Sequence, residues 1–459
     1  MGATNDIANY VASGSYQNIP SSALGFAKLL FMDTLGVAVA GSNLPAATIA
    51  HDYAIKLGSN SVEKAHVVGK KLTLAPSFAA LANGVSAHTL DYDDTSFLTV
   101  AHSSGSAVPV LLALAEELNS SGQDVIEAFV YAHEGLARLA LAIMPTHYLH
   151  GWHTTGTLST LSSALAAAKL MKFNAEQIAS TLGVASSMSG GMRGNFGTFT
   201  KALHTGMAAL HGMMSANLVR SGFTGNQEIL EHRYGFWSLM AGADNVNPSL
   251  TEEAVKNVER FYLDDPGVGI KLHPCNSAVL AGIGTAIKLS IENDIDPDEV
   301  DHIDYGYMHV ARGIVPFDDP KNSPEAQYSM THAIAASVVK RNAGIEEFSE
   351  AGVADPQIAA MRKKVKPYEH AEFLKFSDPH DVPACVVSIH MKNGAVFTDS
   401  LRRPKAYPGG EAVAKSEVVD KFKVNIESVL EGKSATAFEL ADNIDSLTNL
   451  SELIDSLTS

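Results

Sequence analysis

The chain has 459 residues, with 33 Lys and Arg against 50 Asp and Glu, for a net charge of −17. That balance excludes sequence-independent binding to nucleic acid or to an anionic membrane, because both rest on clustered cations. Hydrophobic residues at 46% and charged ones at 18% exclude a disordered chain and describe a protein able to bury a sizeable core.

The first 260 or so residues read as helix after helix. Residues 23–38 carry apolar side chains at helical spacing and end near Gly41, and the pattern continues over 107–118, 125–143, 158–170, 175–182 and 202–218. These segments are rich in Ala and Leu, and small residues at this density let helices pack closely. After about residue 266 the texture changes. Residues 300–310 alternate polar and apolar as a strand does, and 386–391 and 395–398 flank Asn393-Gly394 as a hairpin. Helices are predicted at 329–339 and 356–365, then at 415–430 and in a terminal segment with Ile444, Leu447, Leu450, Ile454 and Leu457 in phase. The fold class is therefore mainly α: helical residues 1–266, a smaller α+β unit at 267–402, and helices at 403–459 returning to the first unit.

Cys275 and Cys385 are the only cysteines, and neither sits in a CxxC pattern, so no disulfide framework is expected. The first Lys or Arg is Lys28, which argues against a secretory signal or transit peptide. The start lacks the Ser or Thr that myristoylation needs, and the apolar run 108–115 is too short to span a bilayer. A cytoplasmic protein without a membrane partner is expected.

A P-loop is absent, and Gly191, Gly194 and Gly197 do not make GxGxxG. Asp91-Tyr92-Asp93-Asp94 resembles the start of a calcium loop, but Ser96 stands where the loop needs Gly and no Glu follows at position twelve. His147, His150 and His153 would spread over about 240° of a helix, so one metal would need irregular backbone near Gly151. They read as helix-end and cleft histidines, and no metal site is assigned.

Three stretches are unusual for packing. The run Asn83-Gly84 to Thr95, followed by His102, holds three carboxylates in four positions. At least one must be paired, hydrogen-bonded or functionally perturbed, unless the run is simply a solvated capping loop. Gly151-Trp152-His153-Thr154-Thr155-Gly156-Thr157 is a polar entry to an Ala/Leu-rich helix, suited to a carboxylate or to ordinary capping. Gly190 to His204 sets glycine-rich backbone beside Arg193, Lys201 and His204, the local positive island that an acidic substrate would require. Lys271 falls where helical texture yields to the α+β unit, and ligand sites favour such junctions.

These stretches resemble the signatures of the MmgE/PrpD family. Asn83-Gly84 with His88-Thr89-Leu90-Asp91-Tyr92-Asp93-Asp94-Thr95 is similar to its NG…HxxDFDDT segment, and Gly151–Thr157 and Asn195–His204 to its other two. Leu35-Gly36-Val37-Ala38-Val39-Ala40-Gly41 matches its N-terminal LGVxxAG. The family includes 2-methylcitrate dehydratase, cis-aconitate decarboxylase and iminodisuccinate epimerase. The resemblance implies a large helical domain with a smaller α+β lid, a homodimer, and a cleft between domains that needs no metal or organic cofactor. It carries Asp91, Thr95, His102, His153, Lys201 and Lys271 over as catalytic. Arg193, Thr154, His204 and Tyr148 are assigned to binding the substrate, a small polycarboxylate.

The family's reactions share one problem, negative charge on a carbon beside a carboxylate, which fixed cations and donors stabilise. Lys201, Lys271 and Arg193 suit that task, and His102 and His153 suit proton transfer, with Asp91 orienting a histidine or acting as base. Two positions depart from the family's decarboxylases: the Thr95-to-His102 spacing is one residue longer, and Asn276 replaces a histidine. The expected activity is thus first a dehydratase-type lyase, then an epimerase of an iminodisuccinate-like aminodicarboxylate, then a decarboxylase. A non-catalytic helical carboxylate-binding protein is the alternative outside enzymes.

Overall fold

A computed structural model describes residues 2–375 and 379–459. Its axis is the helix Thr154–Leu170, in which every residue is buried. That helix has no polar face to offer water, and its Ala, Ser and Thr side chains are small enough to be covered on all sides. The helices Ser104–Leu118, Gly122–Ala140, Ala175–Ser186 and Thr200–Arg220 surround it. Pro76–His88 packs against the last of these with unusually little separation. A Cβ built on Gly84 would lie 2.9 Å from Gly206 Cα, so the backbones themselves touch.

Ser21–Gly41 is the one helix among the described residues long and apolar enough to cross a bilayer, and most of it is buried in this same core. A short hairpin of β1 (Ala65–His66) and β2 (Thr73–Leu74) precedes Pro76–His88. The chain is mainly α.

A second hydrophobic core forms around a four-stranded mixed sheet. Its strands are β3 (Val300–Tyr307), β4 (Val365–Glu369), β5 (Cys385–Met391) and β6 (Val396–Leu401), in the order β4-β3-β5-β6. Strand β3 runs parallel to β4 and antiparallel to β5. Its alternation puts Ile303 and Tyr305 on the buried face and His302 and Asp304 on the wetter one. The helices Leu280–Glu292 and Met330–Lys340 pack with the sheet in this core. Between β5 and β6, Gly394 (φ +89°) donates to the Met391 carbonyl, closing the Asn-Gly turn.

Two expectations change in detail. The helix predicted over 356–365 ends at Arg362, and Val365 begins β4; Pro367, which lacks an N–H, is tolerated because β4 is an edge strand. The terminal in-phase segment is two pieces, Ile444–Ser446 and Ser451–Ser456, separated by extended Leu447, with the Ser451 N–H donating to Asn449 Oδ1. Both pieces, and the helices Lys415–Glu427 and Ser434–Asp442, still bury their apolar residues in the first core.

Candidate active site

The helix Pro76–His88 ends at His88, and three residues later Asp91 adopts a left-handed conformation (φ +48°) that turns its side chain inward. Asp tolerates this region better than most residues, and strain of this kind collects at functional sites. Thr95 then pairs through its backbone with Gly269, which brings Lys271 alongside. The Gly84–Gly206 contact draws the helix carrying Lys201 against the one ending at His88.

Asp91 is the hub. It is fully buried, and its Oδ1 meets Lys271 Nζ and lies 2.8 Å from Lys201 Nζ. Lys271 Nζ also donates to the Asp91 carbonyl at 2.9 Å, while the Tyr328 hydroxyl donates to Oδ2 at 3.0 Å. The Lys201–Asp91 contact is a close ion pair, and Lys201 Nζ has no second protein partner, which leaves N–H groups beyond that contact for a ligand. Burial opposes ionisation of Asp91, but Lys201 and then Lys271 outweigh it and hold its pKa well below the carboxylate range. Burial lowers the Lys201 pKa to about 8 against the pull of Asp91.

The three clustered carboxylates have separate tasks. Asp93 accepts from His88 Nδ1 at 2.8 and 2.9 Å, and burial raises its pKa. Asp94 accepts from the Ser104 hydroxyl at 2.8 Å, the capping role expected of a loop carboxylate, while Asp91 faces the lysines.

His102 reaches the site despite its longer spacing. Ser96 pairs with Ala101, and Val100 between them takes a left-handed turn (φ +49°) just before His102. His102 Nδ1 faces the Asp94 carbonyl, which can only accept, so Nδ1 carries the proton and Nε2 presents a lone pair 3.9 Å from Asp91 Oδ1. His153 pairs Nδ1 to Nδ1 with His204 at 2.9 Å, so the two rings share one proton across that contact. Burial, followed by the charge of Lys271 for His102 and of Lys201 for His153, pushes both pKa values well below 6.5. His204 is lowered to about 4 for the same reasons. These rings are neutral at neutral pH.

Thr95, His102, Tyr148, His153, Lys201 and Asn276 line one cavity of about 40 Å³, closed on another side by Phe196. On its far side Lys201, with His88 and Tyr328, lines a second cavity of about 100 Å³. Two residues expected to bind substrate lie differently. The Thr154 hydroxyl is turned to the Val100 carbonyl, and Arg193 stacks on Tyr148 (3.9 Å) while donating to the Tyr148 and Gly313 carbonyls. Asn276 accepts from the Ala278 N–H and caps the short turn after Lys271.

Several groups around the hub escaped sequence reasoning. His88 is buried with Nδ1 on Asp93 and Nε2 without a partner; its position inside the Asn83–Thr95 run was the available signal. Tyr328 had none. Lys421, from the helix Lys415–Glu427, donates to the Tyr92 and Lys271 carbonyls and pairs with Asp33 at 2.8 Å.

His147, His150 and His153 do not converge: His147 bonds to Thr157, His150 is exposed and His153 faces His204. Ligand atoms of His88, Asp91, Asp93 and His102 do lie within 4.8 Å of one another. A cation among them would also face the two ammonium groups already on Asp91, which disfavours it electrostatically.

The chain was also compared with known proteins. The chain is 28% identical to cis-aconitate decarboxylase of Homo sapiens over 445 residues, covering 93% of this chain and 88% of that protein. It is 28% identical to the Mus musculus cis-aconitate decarboxylase over 468 residues (99% and 91% covered). Identity to that of Aspergillus terreus strain NIH 2624 is 25% over 477 residues (99% and 96% covered). The MmgE/PrpD N-terminal domain matches residues 5–249 and the MmgE/PrpD C-terminal domain residues 273–446. With both family domains matched in order across most of its length, the chain belongs to the MmgE/PrpD family.

Proposed function

We propose that this protein is a cofactor-independent carboxy-lyase that removes CO₂ from a small unsaturated tricarboxylic acid of the cis-aconitate type. The observation that carries the reading is the near full-length similarity to cis-aconitate decarboxylases, together with a His102 that enters the site in spite of its longer spacing. In the reaction the bond from a carboxylate carbon to its neighbour breaks, CO₂ leaves, and the electron pair stays on the neighbour in conjugation with a remaining carboxylate. The Lys201 ammonium, with N–H groups beyond its Asp91 contact, stabilises that charge, and Lys271 fixes Asp91. The His153–His204 pair or Tyr148 supplies the proton that caps the carbanion, while His102 Nε2 accepts a substrate proton or hydrogen bond. Dehydration becomes the second reading, supported by the family alone.

Two further features belong to this proposal. The unit around the sheet acts as a lid: Tyr328 from that unit and Lys271 at the junction before it hold Asp91, and the Arg193 guanidinium reaches Gly313 across the seam. The protein works as a homodimer, which the exposed Ile49, Tyr53, Leu203 and Met214 on two touching helices support.

The test is ¹³C NMR of the protein with cis-aconitate and 2-methylcitrate in D₂O. Release of labelled CO₂ with one deuteron in the product supports the reading. Water loss from 2-methylcitrate without CO₂ restores the dehydratase, and deuterium exchange without net product points to an epimerase.

A further inference from the structure

On the wetter face of the sheet, far from Asp91 in sequence and packing, two histidines and a carboxylate converge. His302 and Asp304 are two residues apart on β3 and so share a face, and His390 sits opposite His302 on β5. Asp304 Oδ2 is 3.2 Å from His390 Nε2 and 3.8 Å from His302 Nε2. The His390 Nε2 is buried and makes no aligned hydrogen bond, although it lies beside an acceptor. Ligand atoms of the three residues all lie within 4.8 Å of one another.

We propose that His302, Asp304 and His390 form a divalent metal site of the zinc class on this sheet face. Metal–ligand bonds of 2.0–2.1 Å in a tetrahedral shell put neighbouring ligand atoms roughly 3.3 Å apart. The two separations from Asp304 bracket that value. The rings stack at 4.2 Å with planes 8° apart, so ligation of one ion by both requires the rings to rotate out of the stack until each turns its Nε2 lone pair to a common point beside Asp304. The outer shell is already built: His302 Nδ1 bonds Asp301 Oδ2 at 2.8 Å, which places the proton on Nδ1 and leaves the Nε2 lone pair for the metal. Two imidazoles with one carboxylate select zinc and its late first-row neighbours over magnesium or calcium, which prefer oxygen ligands. Three protein ligands leave a coordination position open to water. Bound metal ties β3 to β5, and the site is separate from the reaction centre.

The experiment is a Zn²⁺ titration of the chelator-stripped full chain against a chromophoric competitor, with thermal unfolding in parallel. One equivalent is expected to bind with Kd of about 10 µM or tighter and to raise Tm. His390→Gln and Asp304→Asn should each weaken binding at least ~10-fold and abolish the Tm shift, and Asp301→Asn should weaken it about 10-fold through the outer shell. A wild-type chain that binds no equivalent in this range overturns the proposal. So does unchanged affinity in His390→Gln and Asp304→Asn, which would place the metal at another cluster.

Discussion

The Lys421 ammonium lies 2.8 Å from the carbonyl oxygen of Lys271, so a C-terminal helix holds the backbone of a lysine that itself grips Asp91. The same ammonium binds the Tyr92 carbonyl at 2.8 Å, and Asp33 balances its charge. Both strands of chain that meet at Asp91 are thereby tied to one point.

Removing that tie separates positioning from stability. Lys421→Met leaves the Asp33 carboxylate buried without a partner, which costs about 3–5 kcal/mol. The double variant Asp33→Asn with Lys421→Met removes the orphaned charge and should recover most of that loss in a denaturant titration. Its kcat should nevertheless stay at least about 10-fold down, because nothing replaces the bonds to the Lys271 and Tyr92 carbonyls. A double variant with wild-type kcat would assign Lys421 to stability alone.

The pH profile should carry the mark of Lys201. Its pKa is lowered to about 8, so its charge is complete below that value and lost above it. A substrate contact that needs the ammonium therefore weakens as pH rises through about 8, well before an ordinary lysine would titrate. Turnover should fall along that limb. Lys201→Arg, which stays charged, should remove the limb from whatever activity remains, and an identical limb in both proteins would assign it to another group.

Lys201→Ala should cost roughly 2–4 kcal/mol of transition-state stabilisation, or about 30- to 1000-fold in kcat/KM. Circular dichroism should remain that of the wild type.

His102→Gln keeps a hydrogen-bonding group but cannot move a proton. Its kcat should drop roughly 100- to 10,000-fold with substrate affinity little changed. If His153→Gln abolishes turnover while His102→Gln retains most of it, the essential proton passes through the His153–His204 pair.

Exhaustive EDTA dialysis should leave turnover intact, since both oxygens of Asp91 are engaged by Lys201, Lys271 and Tyr328. Restoration of lost turnover by added zinc or iron would instead assign a metal to the cluster of His88, Asp91, Asp93 and His102.

Much of this was legible in the sequence because the chemistry is concentrated in short runs. Lys201 stands out by charge beside glycine-rich backbone, Lys271 by its place at the change of texture, and Asp91, one of three neighbouring carboxylates, through the family resemblance; the three meet. Tyr328 and Lys421 were not, because each lies in a segment whose pattern says only helix or turn, and only tertiary packing aims them at the site. Thr154 and Arg193 show the opposite limit: sequence reveals a donor but not its direction, and both donate to backbone carbonyls. The helices Pro45–Gly58 and Pro76–His88 are missing from the sequence reading although each opens on proline, because that signal is weak beside the polar motifs around it. Val100 could not be read at all, since β-branched residues rarely turn left-handed.

Asp91 is also a knot of distant chain. It joins Lys271, 180 residues away, and Tyr328, 237 residues away, while the supporting pair Asp33 and Lys421 spans 388. Contacts of such range form only after their loops have closed, so during folding the helices acquire their shape well before the carboxylate acquires its partners. Recovery of turnover after dilution from denaturant should therefore trail recovery of the far-ultraviolet helix signal, with the interval between them timing the moment the two cores lock together.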